Sequence, residues 1–366
     1  MLRTDHSLES HMPLWALLIP IAATALLAVA LALPVGVALA IVCALALMGA
    51  VIAAVHHAEV VAHRVGEPFG TLVLAIAITI IEVALIVSMM LAGGPDKATL
   101  PRDTIFSAIM IICNGVVGLC LLLGSLRHHE QSFHVEGANT ALATVIALAT
   151  MALVLPTFTT SSTGSTYTVT QLTFAAIASL VLWATFVFVQ TVRHRDYFLP
   201  VHNTADEDLH AAPPSTRLSW ASFGMLLVAL VAVVGLAKVL SPSIEAAVAA
   251  AGAPQAVIGI AIAMLVLLPE TWAAARAARA NRLQTSLNLA FGSALASIGL
   301  TIPAVALASV LIGMPLALGL EAKDLVLLVL TFFVASITLV SGRTHVMQGV
   351  VHLVIFAAFL FLAFVP

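Results

Sequence analysis

The chain has 366 residues, of which 62% are apolar or aromatic and only 8% are charged, with a net charge of −3. Soluble proteins run near 45–50% and about 25% respectively. Fourteen Lys and Arg with 17 Asp and Glu are too few to cover a soluble enzyme, and they leave no basic excess for nucleic-acid phosphates. The composition is that of an all-α, polytopic integral membrane protein.

A spanning helix needs about 20 mostly apolar residues. On that basis eleven segments are expected, at 13–33, 35–56, 69–92, 104–125, 138–157, 169–192, 220–240, 254–275, 283–312, 324–341 and 345–365. The amino terminus does not read as a signal peptide, because Arg3 is offset by Asp5 and Glu9 and the apolar stretch after them is long enough to span. Pro34-Val35-Gly36 makes the first connection a tight turn. Pro303 should kink or end the ninth segment. Cys43, Cys113 and Cys120 all lie in apolar runs and are expected to be small buried hydrophobes.

The longest polar stretch, 193–219, holds Asp206-Glu207-Asp208 and Pro213-Pro214 and reads as a linker. The chain then divides into a tail and extra helix (1–33), a first five-helix half (34–192), the linker (193–219) and a second five-helix half (220–366). Five is odd, so similar halves would form an inverted repeat, an architecture common in secondary transporters. Gly66-Glu67-Pro68 and Gly252-Ala253-Pro254 open corresponding helices, each with a glutamate further on, at Glu82 and Glu270.

The basic residues test the orientation. With a cytoplasmic amino terminus, Arg3, Arg64, Arg127, Arg193, Arg195, Arg217, Arg276, Arg279, Arg282 and Arg343 fall inside, and only Lys97, Arg102, Lys238 and Lys323 outside. The carboxyl terminus is then periplasmic or external. Twelve of the thirteen histidines are expected in cytoplasmic connections, and His352 within a span. Loops simply hold polar residues; the alternative is a pH-sensing surface that includes His56, His57, His63, His128 and His129.

Two carboxylates remain in apolar surroundings. Glu82 sits deep in LVLAIAITIIEVALIVSMML, where an ionised carboxylate costs roughly 2.5–3.5 kcal/mol or more. It must be neutralised by a proton, a cation or a neighbouring helix. Glu270 lies nearer a helix end, where snorkelling is the plainer reading. Pro269 beside it lacks an N–H and frees a carbonyl one turn earlier. Two carboxylates with freed carbonyls suit a hard cation such as Ca²⁺. Asn114, central in its segment, is a further site candidate. Ser293 and Ser297 share a face with Thr301 and either line the pathway or merely permit close packing.

The stretch HHAEVVAHRVGEPFGTLVLAIAITIIEVALIVSMM, with Glu59, Arg64, Gly66 and Glu82 in that spacing, resembles the first α-repeat of the cation/proton exchanger branch of the Ca²⁺/cation antiporter superfamily. LPETWAAARAARANRLQTSLNLAFGSALASIGLTIP resembles the second. Both look most similar to the bacterial ChaA-type Ca²⁺/H⁺ (and Na⁺/H⁺) antiporters. The resemblance implies that Glu82 and Glu270 bind cation or protons in alternating access, with Asn114 and the Ser293 region on partner helices. The family pattern has Asn three residues before each glutamate and Gln after the Gly-Ser pair. Here those positions are Thr79, Leu267 and Ala296, which leaves room for Na⁺ or K⁺.

The expected function is therefore an inner-membrane antiporter that exports Ca²⁺, and Na⁺ or K⁺ besides, against protons. It needs no cofactor and is not an enzyme, since His-Glu-x-x-His is absent. Its partners are the transported ions and the bilayer, with a homo-oligomer left open. A monovalent-only antiporter is the first alternative, and a cation channel the second.

Overall fold

The computed structural model describes residues 12–65, 69–199, 214–314 and 316–365. They form long helices, here numbered in chain order: α1 Leu14–Ala32, α2 Val37–Val65, α3 Phe69–Gly93, α4 Leu100–His128, α5 Val135–Phe158, α6 Val169–Arg193, α7 Thr216–Ala250, α8 Ala256–Arg279, α9 Leu283–Ile312, α10 Ala322–Val340 and α11 Val346–Phe364. Helix is the form that satisfies every backbone polar group within one segment, which an apolar surrounding requires. Among the described residues ten of these helices are long and apolar enough to cross a membrane; α3 has a described apolar run at Ile76–Leu91 and would be the eleventh.

Several boundaries differ from expectation. The second segment was to end at residue 56, but α2 runs on to Val65. No Gly or Pro interrupts the chain between Gly49 and Gly66, so nothing stops the helix. His56, His57 and His63 are consequently helical residues and not loop residues. Pro303 does not end α9, which continues to Ile312. Much of the expected linker, 200–213, and the Gly66-Glu67-Pro68 opening lie outside the described residues.

Among the described residues three helices contain a π-helical stretch, at Ile111–Val116 in α4, Thr150–Val154 in α5 and Val189–Arg193 in α6. Such insertions add one residue to a turn and rotate everything beyond it.

The chain packs as two compact units. The first takes α1, α2, α3 to Ser88 and α7 to Ser243. Within it His57 Nε2 lies 2.8 Å from the Ala16 carbonyl, and Ser88 Oγ donates to the Val234 carbonyl at 3.3 Å. Arg64 Nη2 donates to Thr216 Oγ1 at 2.8 Å. The second unit takes the rest, α4–α6 and α8–α11 with the ends of α3 and α7. Each unit thus draws on both halves of the sequence. In the second unit a short antiparallel pair, Gln131–Ser132 with Arg343–Thr344, ties the α4–α5 connection to the α10–α11 connection.

Small residues let backbones meet. A Cβ at Gly349 of α11 would lie 2.6 Å from the Leu122 backbone nitrogen of α4 and 2.9 Å from the Gly118 carbonyl. Backbone cannot move aside cheaply, so Gly349→Ala should destabilise by about 1–3 kcal/mol. Gly224 of α7 has nothing within 4 Å of such a Cβ, and Gly224→Ala should stabilise by roughly 0.5–1 kcal/mol through helix propensity alone. Thermal unfolding of the purified protein in detergent checks both signs.

Candidate functional site

In the first unit Glu82 lies on α3 and is only 2% exposed. Thr79, one turn earlier, is also buried, and its hydroxyl has no hydrogen-bond partner among the described residues. A buried hydroxyl without a partner is costly. Ser88, further along the same helix, is already engaged with α7. This unit carries two of the residues expected from the sequence, Glu82 and Thr79, a turn apart.

In the second unit Glu270 is half-buried on α8, which passes unbroken through Pro269. Proline removes the N–H that would bond the Leu265 carbonyl. Thr271, next in sequence, donates to the Leu267 carbonyl at 2.7 Å, so local backbone oxygens here are shared between helix and side chains. Helix α9 packs against α8; on it Ser297 and Thr301 are buried and Ser293 is half-buried. Asn288, one turn before Gly292, donates to the Phe198 carbonyl at 2.6 Å and accepts from Gln284. It is a packing residue.

Asn114 occupies the π-helical stretch of α4 and is fully buried. Its amide is used at both ends. Nδ2 donates to Thr331 Oγ1 of α10 at 2.8 Å, and Oδ1 lies 3.2 Å from His352 Nδ1 of α11. Since a carbonyl oxygen only accepts, Nδ1 must be the donor; Nε2 of the neutral ring then accepts from Thr338 Oγ1 at 3.1 Å. Thr331 in turn faces Met110 Sδ at 3.4 Å. Three helices are therefore joined by one polarised chain of hydrogen bonds in which each group has a partner. Sequence reading singled out Asn114 and set His352 apart as the histidine within a span, but gave no sign that they meet. Thr331 and Thr338 carried no signal at all.

The histidines expected to sense pH divide. His57 is fully buried and bonded to the α1 backbone, and the His56 ring lies tilted at 51° against Trp15, 4.9 Å between centroids. Both are packing residues of α1 against α2. His63 is exposed on the last turns of α2. His128 Nε2 lies 2.9 Å from the Arg279 carbonyl, joining the ends of α4 and α8, and exposed His129 ends α4 with φ 62°. The three cysteines are buried thiols, as expected.

In the second unit Lys97 meets Glu245 at 3.3 Å, Arg102 meets Asp103 at 2.8 Å and Glu321 at 3.9 Å, and Lys323 meets Asp324 at 3.7 Å. These are three of the four basic residues that the orientation rule sets outside, and each has a carboxylate.

Comparison with known proteins agrees with this architecture. Residues 35–192 and 221–365 each match the family described as sodium/calcium exchanger protein. The chain is 50% identical over 365 residues, 98% of each chain, to the Sinorhizobium fredii protein y4hA. It is 37% identical over 325 residues, 87% of this chain and 88% of the other, to the sodium-potassium/proton antiporter ChaA of Escherichia coli. The crystal structure of the selenium-substituted Ca²⁺/H⁺ antiporter protein YfkE has the same fold, with a TM-score of 0.71 at 15% identity, covering 96% of this chain and 99% of that one. With two stretches matched that together make up most of its length, the chain belongs to the sodium/calcium exchanger family of membrane transporters.

Proposed function

We propose that the protein is a secondary cation/proton antiporter of the inner membrane, exporting Ca²⁺, with Na⁺ or K⁺ as a further substrate, in exchange for protons. The observation that carries the reading is Glu82, 2% exposed in an apolar helix, with the buried Thr79 hydroxyl, which has no partner among the described residues, one turn away. An ionised carboxylate in such a place must be neutralised. Either a proton or a cation does so, and binding one releases the other. Glu270 supplies the same exchange in the second half. Two carboxylates balance one Ca²⁺ against two protons, so the cycle moves no net charge. In this reading the stretches 34–192 and 220–366 are an inverted pair behind an extra first helix, and the amino terminus is cytoplasmic.

A second reading, exchange of Na⁺ and K⁺ alone, is favoured by Thr79 and Leu267 standing where amide ligands would serve Ca²⁺, and by the similarity to a sodium-potassium/proton antiporter. Proton efflux from everted vesicles decides between the two. Ca²⁺ should collapse a preformed proton gradient, Na⁺ or K⁺ should do so too, and Mg²⁺, which dehydrates reluctantly, should not. A response to Na⁺ and K⁺ without Ca²⁺ selects the second reading. No response to any cation, or a Ca²⁺-driven transport current, contradicts the electroneutral antiporter.

A further inference from the structure

We infer that the converging ends of α4 and α8 form a binding site for an anionic phospholipid. A cavity of about 500 Å³ lies between these helices. At one end it is lined by Arg127, Arg276 and Arg279; further along it is lined by Leu119, Leu268 and Trp272. Leu119 precedes Arg127 by eight residues, as Leu268 precedes Arg276, so each helix passes from apolar to cationic over about 12 Å. The two gradients run the same way along one cavity. That is the profile of a lipid, acyl chain below and charged headgroup above.

The three arginines are placed as a cationic rim. All are exposed, and among the described residues no carboxylate pairs with any of them, in contrast to Lys97, Arg102 and Lys323. The helix C-termini beneath them carry partial negative charge, which three full positive charges outweigh. The rim is also held in place. His128 bonds to the Arg279 carbonyl at 2.9 Å, and Gln131 Nε2 donates to the Ala278 carbonyl at 2.9 Å. Trp272, 72% exposed, is the residue type that settles at a membrane–water interface. Basic pockets between spanning helices recognise anionic headgroups by this chemistry. A soluble phosphate would gain nothing from the leucines and the tryptophan, and a neutral lipid nothing from the guanidinium groups.

Retention of phosphatidylglycerol against phosphatidylcholine by the purified full chain in detergent, read by native mass spectrometry, tests the assignment. The protein should retain phosphatidylglycerol at least about tenfold better. The triple change Arg127→Gln, Arg276→Gln, Arg279→Gln should remove the preference, and the three corresponding Lys substitutions should keep it. If the triple Gln protein does not fold, the single Gln changes decide, each lowering the preference about two- to fivefold. Equal retention of both lipids overturns the proposal. So does displacement of phosphatidylglycerol by millimolar inorganic phosphate, which would mark a soluble-anion site. Preference appearing only after Asp206→Asn, Glu207→Gln and Asp208→Asn would make the chain's own acidic run the occupant, and also overturns it. Binding is read directly, so failure here leaves the exchange reading untouched.

Discussion

Glu82→Gln is expected to abolish cation-driven proton efflux, by on the order of 100-fold or more, while the protein still inserts and accumulates normally. Glutamine fills the same volume but neither carries the proton nor neutralises the cation. Removing an ionisable group from an apolar span lowers the cost of insertion, so loss of activity through misfolding is disfavoured. Glu82→Asp keeps the charge and withdraws it by one methylene; a partial loss, about tenfold, should follow. Glu270→Gln should match Glu82→Gln, because a two-proton exchange fails when either carrier is missing. Everted-vesicle efflux normalised to protein amount measures all three. A wild-type rate from either Gln variant would remove that residue from the mechanism. Persistent cation flux with a measurable current would instead point to a channel.

The second large effect is expected at Asn114. Replacing it by Ala leaves the His352 Nδ1–H and the Thr331 hydroxyl without their present partner, at about 1–3 kcal/mol for each buried group. The melting temperature in detergent should fall by several degrees, as 1 kcal/mol shifts it by about 2–4 °C in domains of 150–250 residues. Thr331→Val and His352→Phe should each show part of the same loss. The double change Asn114→Ala with His352→Phe should cost less than the sum of the two, by about 0.6–1.7 kcal/mol, the range seen for hydrogen bonds between membrane helices. Efflux separates packing from transport. If Asn114 also faces the cation, its Ala variant loses rate beyond what Thr331→Val loses at equal stability. Strict additivity would mean that the hydrogen bond contributes nothing.

Much of the architecture was legible because a bilayer imposes lengths. Every expected span overlaps a long helix, and the break at Pro34-Val35-Gly36 falls between α1 and α2 as read. Errors came where the chain had no punctuation. The second span was set to end at 56 by the length a bilayer needs, yet α2 runs on to Val65, and packed on α1 it accommodates His57 by bonding its ring to a carbonyl. Pro303 does not end α9, since a helix among neighbours tolerates a proline.

The site divided in a similar way. Glu82 stood out because its environment along the chain is uniformly apolar. Asn114 stood out for the same reason, and His352 as a histidine within a span, but nothing showed that Asn114 meets Thr331 and His352. They lie 217 and 238 residues away, and the extra residue per turn at Ile111–Val116 shifts every position beyond it relative to a 3.6-residue wheel. A periodicity argument carried through that stretch assigns the wrong face to the remainder of α4.

The interleaving of the two units governs how the protein can be made. Synthesis proceeds from the amino terminus, and by the time the linker emerges neither unit has all its helices. The first still lacks α7, and the second lacks α8 to α11. Six apolar helices, α1 to α6, must therefore wait in the lipid with part of their final contact surfaces uncovered. Their neighbours during that interval are lipids and one another. A small-residue face such as that at Gly118, which meets α11 closely in the finished molecule, is also a surface on which a premature partner would settle. A chain built this way relies on the second half arriving promptly, and a slow codon run in the linker would be felt as lost yield of protein that is sound once folded.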